Sequence, residues 1–470
     1  MKEPFKLVCK ISVALWLSLS LASCKNGNDS RPPQIYVTTL DKSNLIKKVA
    51  VDMEKKGPLD AVIRIDTSQT FQEMDGFGFS LTGGSALHLH NMSKDSRQKI
   101  LKELFGSGKA DIGVSYLRLS VGASDLDEYP WSYNDLEEGK TDPELEHFSL
   151  AYDTLYLIPV LKEILKINPK IKLMGSPWSA PRWMKGNNDT RGGSLKEEYY
   201  ATYANYLVKY IKEMGEQGIR IDALSVQNEP LHPGNNPSML FLAKKEKRFI
   251  KYHLGPSFAK NNIGTKIIIY DHNADRPDYP ISILNDTKAA KYIDGTAFHL
   301  YGGTIDALTK VHNAHPDKNL YFTEQWIGAP GNFANDFSWH IENLIIGAPR
   351  NWCKTVLEWN LAADGNYEPH TDRGGCEICL GAITIDGDKV IRNPAYYIIA
   401  QASKFIPPGS IRIASSVPEG VPNVAYRTPV GKVVVILQNK GERERNIELN
   451  TGFNSFPVFL QAGAVGTVVF

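Results

Sequence analysis

The run IDALSVQNEP, residues 221–230, decides the fold class of this chain, because a short apolar segment of β-forming residues ends abruptly in polar ones. Before it, residues 196–214 carry apolar side chains at helical spacing, and a second β-type run follows at residues 266–270. The same alternation of short β-type run, polar loop and longer helical segment recurs from about Asp75 to about Asn360. It predicts a series of parallel βα units.

Eight runs have the character of such strands, and eight units favour a closed (β/α)8 barrel of the α/β class over an open sheet. The eight runs are residues 76–81, 115–121, 171–176, 221–226, 266–270, 295–299, 320–323 and 354–359. Short β-type runs separated by Pro, Gly and Asn turns lie on both sides of them. They predict a β-sandwich domain built from both chain ends, with residues 34–70 and 394–470 flanking a barrel at residues 71–393.

The charge balance bears on the kind of ligand. The 470 residues include 53 basic and 52 acidic side chains, for a net charge of +1. Such a chain has no long-range field that would recruit nucleic acid or an anionic membrane surface. We therefore expect a neutral substrate, and the 8 Trp and 21 Tyr residues could supply rings that stack on sugars.

The amino terminus resembles an export signal. Lys2 and Lys6 precede an apolar run at residues 11–21, which is too short to span a bilayer permanently. The run ends in Leu-Ala-Ser-Cys24, which resembles the site where bacterial lipoproteins are cleaved and lipidated on cysteine. The prediction is a signal peptide at residues 1–23, a lipid on Cys24, a tether at residues 24–33, and a place at the cell surface or in the periplasm of a Gram-negative-type envelope. The lipid would be the only membrane attachment; an ordinary signal peptide with an incidental cysteine is the alternative.

Three further cysteines follow. Cys376 and Cys379 form an isolated Cys-x-x-Cys, which could be a local disulfide, a pair of thiols or half of a metal site. No second pair accompanies them in the sequence, which argues against zinc. Cys353 opens an apolar strand-like run and is interpreted as a small buried hydrophobe.

Two strand runs end in a glutamate. The fourth run ends in Gln-Asn-Glu229-Pro and the seventh in Thr-Glu324-Gln-Trp. In a barrel of parallel strands these ends share one rim, where the active site lies. Two facing carboxyls are the groups that hydrolyse glycosides, one as a proton donor and one as a nucleophile. Loop capping or ion pairing would explain either glutamate equally well from the pattern alone.

Five motifs together resemble glycoside hydrolase family 30, the family of lysosomal-type glucosylceramidases and of bacterial and fungal β-1,6-glucanases. They are DGFG at residues 75–78, GSPWSAPRWMK at 175–185, QNEP at 227–230, TE at 323–324 and EWNL at 358–361. The segment SKFIPPGS at residues 403–410 resembles the entry of that family into its β-domain. The resemblance runs from the Gly76 loop to the C-terminal domain.

The resemblance implies a retaining β-glycosidase that needs no cofactor and no metal. It makes Glu229 the acid/base and Glu324 the nucleophile that forms a glycosyl-enzyme intermediate. Asn228 would donate to the sugar 2-hydroxyl. In a retaining enzyme the two carboxyls should lie roughly 5–5.5 Å apart.

The resemblance also implies the surroundings of this pair. Trp178 and Trp359 would form aromatic walls around the reacting sugar, and His299 and Tyr301 would form its polar floor. Arg118, at the end of the second strand, would help to keep the nucleophile ionised. The roles of Trp183 and of the segment Asp271-His272-Asn273 stay open between structure and sugar contact.

One position departs from the family pattern. Glucosylceramidases place an aspartate after the first strand to hold the terminal glucose, and here the aligned stretch LTGGS has Gly83 at that point. A missing side chain would open the subsite, which suits an endo-acting β-1,6-glucanase. A glucosylceramidase-like exo-β-glucosidase is the alternative.

Two rival classes also remain. One is a metal-dependent barrel hydrolase with Asp271, His272, His299 and Glu324 as ligands, although their spacing matches no ligand motif. The other is a glycan-binding lipoprotein without catalysis. The presence of both glutamates argues against it.

Overall fold

The computed structural model describes residues 1, 33–50, 55 and 57–470. The predicted signal peptide, Cys24 and nearly all of the predicted tether lie outside these residues, so they stay predictions. Within the part described, no helix combines the length and apolarity needed to cross a membrane.

Eight parallel strands of the described chain close into a barrel, which confirms the predicted (β/α)8 fold. In order around the barrel they are Gly76–Leu81, Tyr116–Val121, Lys172–Pro177, Ala223–Ser225, Lys266–Asn273, Ile293–His299, Asn319–Glu324 and Cys353–Asn360. Each overlaps one of the eight predicted runs. The strands are buried on both faces, since helices cover the outside and side chains fill the inside, and this explains why they are mostly apolar.

Helices surround the barrel. The α-helices are Gly83–Asn91, Lys94–Phe105, Leu157–Ile167, Tyr200–Glu216, Ala243–Phe249, Gly255–Lys260, Asp278–Leu284, Thr287–Ala290, Ala307–Ala314, Phe333–His340, Ala348–Arg350 and Pro394–Ser403. Short 3-10 turns at Arg182–Met184 and Glu197–Tyr199 and π-helical segments at Ile250–Leu254 and Ile341–Gly347 complete the helical elements of the described residues. Leu157, Leu161 and Ile164 show the expected spacing of a buried helix face.

The barrel interior is filled at its centre, which leaves space for a ligand only at its ends. One buried cluster contributes a side chain from most of the barrel strands: Tyr116, Met174, Ala223, Ile268, Ala297, Tyr321 and Leu357. Packed layers of this kind make such a barrel a solid core, with the chemistry at the carboxyl ends of the strands.

A nine-stranded β-structure combines both chain ends, as predicted. It contains the N-terminal strands Gln34–Thr38, Lys47–Val49 and Ala61–Glu73 and the C-terminal strands Ile411–Ser415, Asn423–Arg427, Val433–Gln438, Arg445–Asn450, Ser455–Leu460 and Val465–Val469. Gln34–Thr38 pairs antiparallel with Val465–Val469, so the first and last strands are neighbours. A small separate sheet is formed by Ala362–Ala363, Ile383–Asp386 and Lys389–Arg392.

The start of the predicted C-terminal segment has a different structure. Residues 394–403 form a helix, and its buried Gln401 joins the two chain ends. The Gln401 amide accepts from the Thr38 hydroxyl at 3.0 Å and donates to the Thr467 hydroxyl at 2.8 Å. The β-runs therefore begin at Ile411, and the helix before them is a link between barrel and β-domain.

Candidate active site

A cavity of about 680 Å³ opens at the carboxyl-terminal rim of the barrel. Its lining includes both predicted carboxyls, Glu229 and Glu324, together with Trp178, Trp359 and Tyr301. This volume lies within the range of about 300–1,000 Å³ that is typical of ligand sites. The rim position follows from the fold, because strands four and seven deliver their last residues to the same end of the barrel.

The two glutamates meet in this cavity. Glu229 is 7% exposed and Glu324 is 6% exposed, and both lie beside His299. A carboxylate oxygen of each, and a ring nitrogen of His299, all lie within 4.8 Å of one another. A separation this short is typical of enzymes in which one carboxylate attacks the sugar directly. An inverting enzyme needs about 6.5–9.5 Å between its two carboxyls to admit a water.

Arg118 donates hydrogen bonds to three residues of the site. Its guanidinium is fully buried and donates to Glu324 Oε2 at 2.6 Å, to Asp271 Oδ2 at 2.8 Å and to Asn228 Oδ1 at 2.5 Å. Burial lowers the pKa of Arg118, but the charges of Asp271 and Glu324 outweigh burial and raise it. The predicted contact between the buried arginine and Glu324 is thus present, and the same side chain orients Asn228.

Asp271 is the second anchor, and it lies beneath the cavity floor with no exposed surface. Three hydroxyls donate to its carboxylate, from Ser176 at 2.7 Å, Ser225 at 2.6 Å and Thr323 at 2.6 Å. Burial raises the pKa of Asp271, but the charge of Arg118, the bond and charge of His299 and the Ser176 hydroxyl outweigh burial and hold it well below the ordinary value. A fixed negative charge therefore underlies the site.

His299 bridges Asp271 and the catalytic pair. Its Nε2 lies 3.1 Å from Asp271 Oδ1, and its Nδ1 lies 3.1 Å from Glu229 Oε1 and 3.6 Å from Glu324 Oε1. Burial lowers the pKa of His299, but the charge of Glu324 and the bonds to Asp271 and Glu229 raise it to about 9. The imidazole therefore holds a proton within reach of both glutamates.

The two carboxyls have opposite pKa shifts in this state. Burial raises the pKa of Glu229, but the hydrogen bond and charge of His299 outweigh burial and hold it below the ordinary value. Burial and the charge of Glu229 raise the pKa of Glu324, against the influence of His299 and Arg118. Glu324 also accepts from the Tyr301 hydroxyl at 2.9 Å.

The backbone at the site adopts conformations that most residues avoid. Glu229 has a φ of 43°, and Tyr270 and Asp271 have φ values of 73° and 58°. The Glu229 amide donates to the Asp271 carbonyl at 3.0 Å, which links the two unusual segments. Left-handed conformations in non-glycine residues cost of order 1–3 kcal/mol each and cluster at functional sites.

Trp178 and Trp359, the predicted aromatic walls, both line the cavity. The Trp178 and Trp359 rings have centroids 5.5 Å apart and are 1% and 4% exposed. The guanidinium of Arg118 lies 4.7 Å from the Trp178 ring centroid. The indole nitrogen of Trp178 is buried without a partner in the described residues.

The prediction that the missing side chain at Gly83 opens the sugar subsite is wrong. Gly83 lines a different, smaller cavity, and a side chain there would begin 1.8 Å from Asp127 Oδ1. The catalytic cavity does contain a further carboxyl, Asp125, which is 6% exposed. Burial and the charge of Glu324 raise the pKa of Asp125 to about 8. The subsite is therefore not opened by the glycine.

Asp125 lies four residues beyond the second strand, which ends at Val121. A carboxyl that closely follows a barrel strand is the signal that would have found it. His272, whose role the sequence leaves open, lines the cavity with its Nε2 3.9 Å from Glu229 Oε1. Burial lowers the pKa of His272 to about 4, so this ring is neutral. Trp183 instead donates its indole N–H to the Asn134 carbonyl and packs in the core.

Several further cavity residues were missed because they lie in long loops or on a helix. They are His232, Asn235, Trp326, Trp339, His340 and the pair Cys376 and Cys379. Cys376 and Cys379 form a disulfide, which resolves the three readings of Cys-x-x-Cys. Cys379 packs with Trp178 and Trp359, so the bridge is part of the cavity wall. Cys353 is a buried free thiol, as predicted.

The metal hypothesis does not fit these contacts. Glu229, His299 and Glu324 are close enough to reach one ion. Both nitrogens of His299 are engaged with carboxylates, however, and a pKa of about 9 means that a proton competes for the ring. Asp271 is already surrounded by Arg118 and three hydroxyls.

A (β/α)8 barrel that brings two buried carboxyls together between tryptophan walls has the active-site architecture of a glycoside hydrolase. Comparison with known proteins agrees. Residues 74–406 match the glycosyl hydrolase family 30 TIM-barrel domain, and residues 409–468 match the glycosyl hydrolase family 30 beta sandwich domain. The chain belongs to glycosyl hydrolase family 30.

Individual relatives point to two activities. The chain is 34% identical over 394 residues to the endo-1,6-beta-D-glucanase neg1 of Aspergillus fumigatus, covering 78% of each chain. It is 30% identical over 461 residues to the putative glucosylceramidase 1 of Caenorhabditis elegans, covering 90% of this chain and 85% of the relative. The solved structure titled "The endo-beta1,6-glucanase BT3312" is 33% identical, with a TM-score of 0.86, and the match covers 93% of this chain and 98% of that one.

Proposed function

We propose that the protein hydrolyses β-1,6-glucan by double displacement, with Glu324 as nucleophile and Glu229 as acid/base. The observation that carries the mechanism is the separation of the two carboxyls, whose facing oxygens and the His299 nitrogen lie within 4.8 Å in one buried cavity. At this distance a sugar carbon fits between the groups, and a separate attacking water does not.

While both carboxyls are ionised, the pKa of Glu324 is raised partly by the charge of Glu229. Once Glu229 holds a proton that charge is gone, and the fixed donors favour Glu324 as the ionised member of the pair. It accepts from Arg118 at 2.6 Å and from Tyr301 at 2.9 Å. Protonation of Glu324 would weaken both bonds, because a carboxylic acid accepts more weakly than a carboxylate. The carboxylate can therefore attack the anomeric carbon and form a glycosyl ester.

The pKa shifts leave the proton on His299 and Glu229 ionised, so Glu229 must receive that proton before it can protonate the leaving oxygen. Its hydrogen-bond partner is His299 Nδ1 at 3.1 Å, and His299 carries a proton near neutral pH. When that proton moves to Glu229, the neutral ring keeps its other N–H on Asp271 and accepts from the Glu229 carboxyl. Glu229 is then the general acid for the first step and, after giving up the proton, the general base for the second.

The neighbouring groups support binding of a neutral sugar. The Asn228 oxygen is held by Arg118, and its amide nitrogen has no partner in the described chain, so it can donate to a sugar hydroxyl. Asp125 offers a further polar group on the wall, and Trp178 and Trp359 offer apolar faces. These groups can therefore bind a sugar that carries no charge.

The relatives support β-1,6-glucan as the substrate, since both neg1 and BT3312 carry that activity in their names. The glucosylceramidase relative supports an exo-acting β-glucosidase as the second candidate. Both activities share the chemistry at Glu229 and Glu324 and differ in what lies beyond the reacting glucose.

A product profile distinguishes the two. We expect digestion of a linear β-1,6-glucan to release β-1,6-linked oligosaccharides early, with little activity on a glucosyl lipid or a β-xylan. Chromatography of the products over time measures this. Release of glucose alone from the start, or a clear preference for the glucosyl lipid, would overturn the glucanase proposal in favour of the exo-β-glucosidase.

A further inference from the structure

One part of the cavity wall is unexplained by chemistry at the two glutamates. His340 is the last residue of the helix Phe333–His340, is 4% exposed and lines the cavity. Its Nδ1 lies 2.7 Å from Glu358 Oε1. Within the described residues this is its one hydrogen bond, so Nε2 on the cavity side of the ring has no protein partner.

Glu358 fixes the orientation of this ring. It precedes Trp359 on the eighth barrel strand, and successive side chains of a strand point to opposite faces. Trp359 therefore faces the cavity, and Glu358 faces the helix that carries His340. Glu358 is 1% exposed, and its second oxygen has no partner in the described chain. A carboxyl that holds one nitrogen of a histidine sets the tautomer and the direction of the other.

Nε2 of His340 can form a hydrogen bond with a sugar hydroxyl in either protonation state of the His340–Glu358 pair. If Glu358 is ionised and His340 neutral, His340 donates from Nδ1, and Nε2 accepts a hydrogen bond from a sugar hydroxyl. If Glu358 is protonated, it donates to Nδ1, and Nε2–H donates to a hydroxyl oxygen. A sugar hydroxyl can both donate and accept, so it can pair with either form.

Trp339 supplies an apolar face beside this nitrogen. It lines the same cavity, and its ring centroid lies 5.1 Å from that of His340. Trp339 is 38% exposed, whereas Trp178 and Trp359 are 1% and 4% exposed. The two buried rings therefore line the floor, where the reacting glucose lies, and the exposed ring lines the mouth, where the rest of a chain would leave.

We propose that His340 and Trp339 form a second sugar-binding subsite, which holds the glucose unit next to the reacting one, and that Glu358 positions His340 for this contact. The ligand is a neutral hexose unit with an apolar ring face and a free hydroxyl. The subsite rests on the proposed glucanase function and specifies how the enzyme selects a chain over a single glucoside.

The test compares two substrates in the full-length protein. A β-1,6-linked glucotriose fills both subsites, and β-glucosyl fluoride fills only the first because its leaving group is a single atom. For Trp339→Ala and His340→Ala, we expect the ratio of kcat/KM for the triose to that for the fluoride to fall about five- to tenfold. Loss of one hydrogen bond to an uncharged partner in His340→Ala, or of one stacking ring in Trp339→Ala, gives a change of this size. Glu358→Gln should lower the ratio in the same direction.

The matched control is His315→Ala, because His315 lies outside the cavity and bonds instead to Asn285. It should keep the wild-type ratio. Equal loss on both substrates in Trp339→Ala and His340→Ala, or no loss on either, would overturn the subsite. Because Trp339 is exposed, Trp339→Ala keeps the test valid if the other variants unfold. Failure of the wild-type protein to cleave the triose while it cleaves the fluoride would instead refute the glucanase function.

Discussion

Replacement of Glu324 by Gln is expected to lower kcat on a β-1,6-glucan by about 10⁴-fold or more, in line with the loss of other enzymatic nucleophiles. The amide has nearly the same size as the carboxylate but cannot form a glycosyl ester. Arg118 would lose its 2.6 Å carboxylate partner and keep Asp271 and Asn228. Binding of the glucan should survive, which separates this enzyme from a glycan-binding protein without catalysis.

Initial rates and glucan binding measured on the same preparation check this prediction. Glu138→Gln is the matched control, since Glu138 is exposed and lies outside the cavity. It should keep wild-type rates. Turnover by Glu324→Gln within tenfold of wild type would show that Glu324 is not the nucleophile.

The second large effect is expected for Glu229→Ala, and it depends on the leaving group. On glucan we expect kcat/KM to fall about 10²–10⁴-fold, the usual contribution of general acid catalysis. On 2,4-dinitrophenyl β-glucoside, whose leaving group needs no proton, the first step should be much less affected. The glycosyl ester should then accumulate, because the base for its hydrolysis is missing.

Added azide provides the check on this variant. Azide needs no general base, so it should restore turnover of the dinitrophenyl glucoside and give β-glucosyl azide as product. Glu138→Gln again serves as the control, with no response to azide. If Glu229→Ala lost equal activity on both substrates and azide had no effect, the acid/base role of Glu229 would be refuted.

The sequence predicted the barrel well because each strand carries its own signal. Runs such as Gly76–Leu81 are mostly apolar, as both faces of a parallel sheet are covered, and they end where polar rim residues begin. Strand ends were less predictable. The fourth run was expected at residues 221–226, but the ladder contains only Ala223–Ser225, since hydrogen bonding to both neighbours decides where a strand ends.

The site was most predictable for residues in a strand or close behind one that also lie in a recognisable motif or match the family. Glu324 and His299 end their strands, Arg118 lies inside the second strand, and Glu229 follows the fourth strand by four residues. The structure brings all four into contact. Asp125 also lies four residues beyond its strand, but it belongs to none of the recognised motifs, and the loop path that brings it to the cavity is set by packing that no periodicity reveals. The error at Gly83 has the same origin, because its position was inferred from the order of residues rather than from where the loop lies.

Several contacts made by loop and helix residues could not be predicted from the sequence. The Cys376–Cys379 bridge could not be inferred from spacing, because thiols and metal ligands show the same spacing. The pairing of His340 with Glu358 joins a helix end to a strand, and only the packing of that helix on the barrel shows it. Asp271 was left undecided as a rim residue, although it is the buried charge to which Arg118 and His299 are both bonded.

The central claim is that a sugar is attacked directly by a carboxylate that faces the acid/base across a narrow gap. Proton NMR of the first product formed from a β-linked glucan tests it, because the anomeric signal shows the configuration before mutarotation. Two successive displacements predict that the β anomer appears first and the α anomer only later. Appearance of the α anomer first would mean a single displacement by water, and the account given for Glu229 and Glu324 would be wrong.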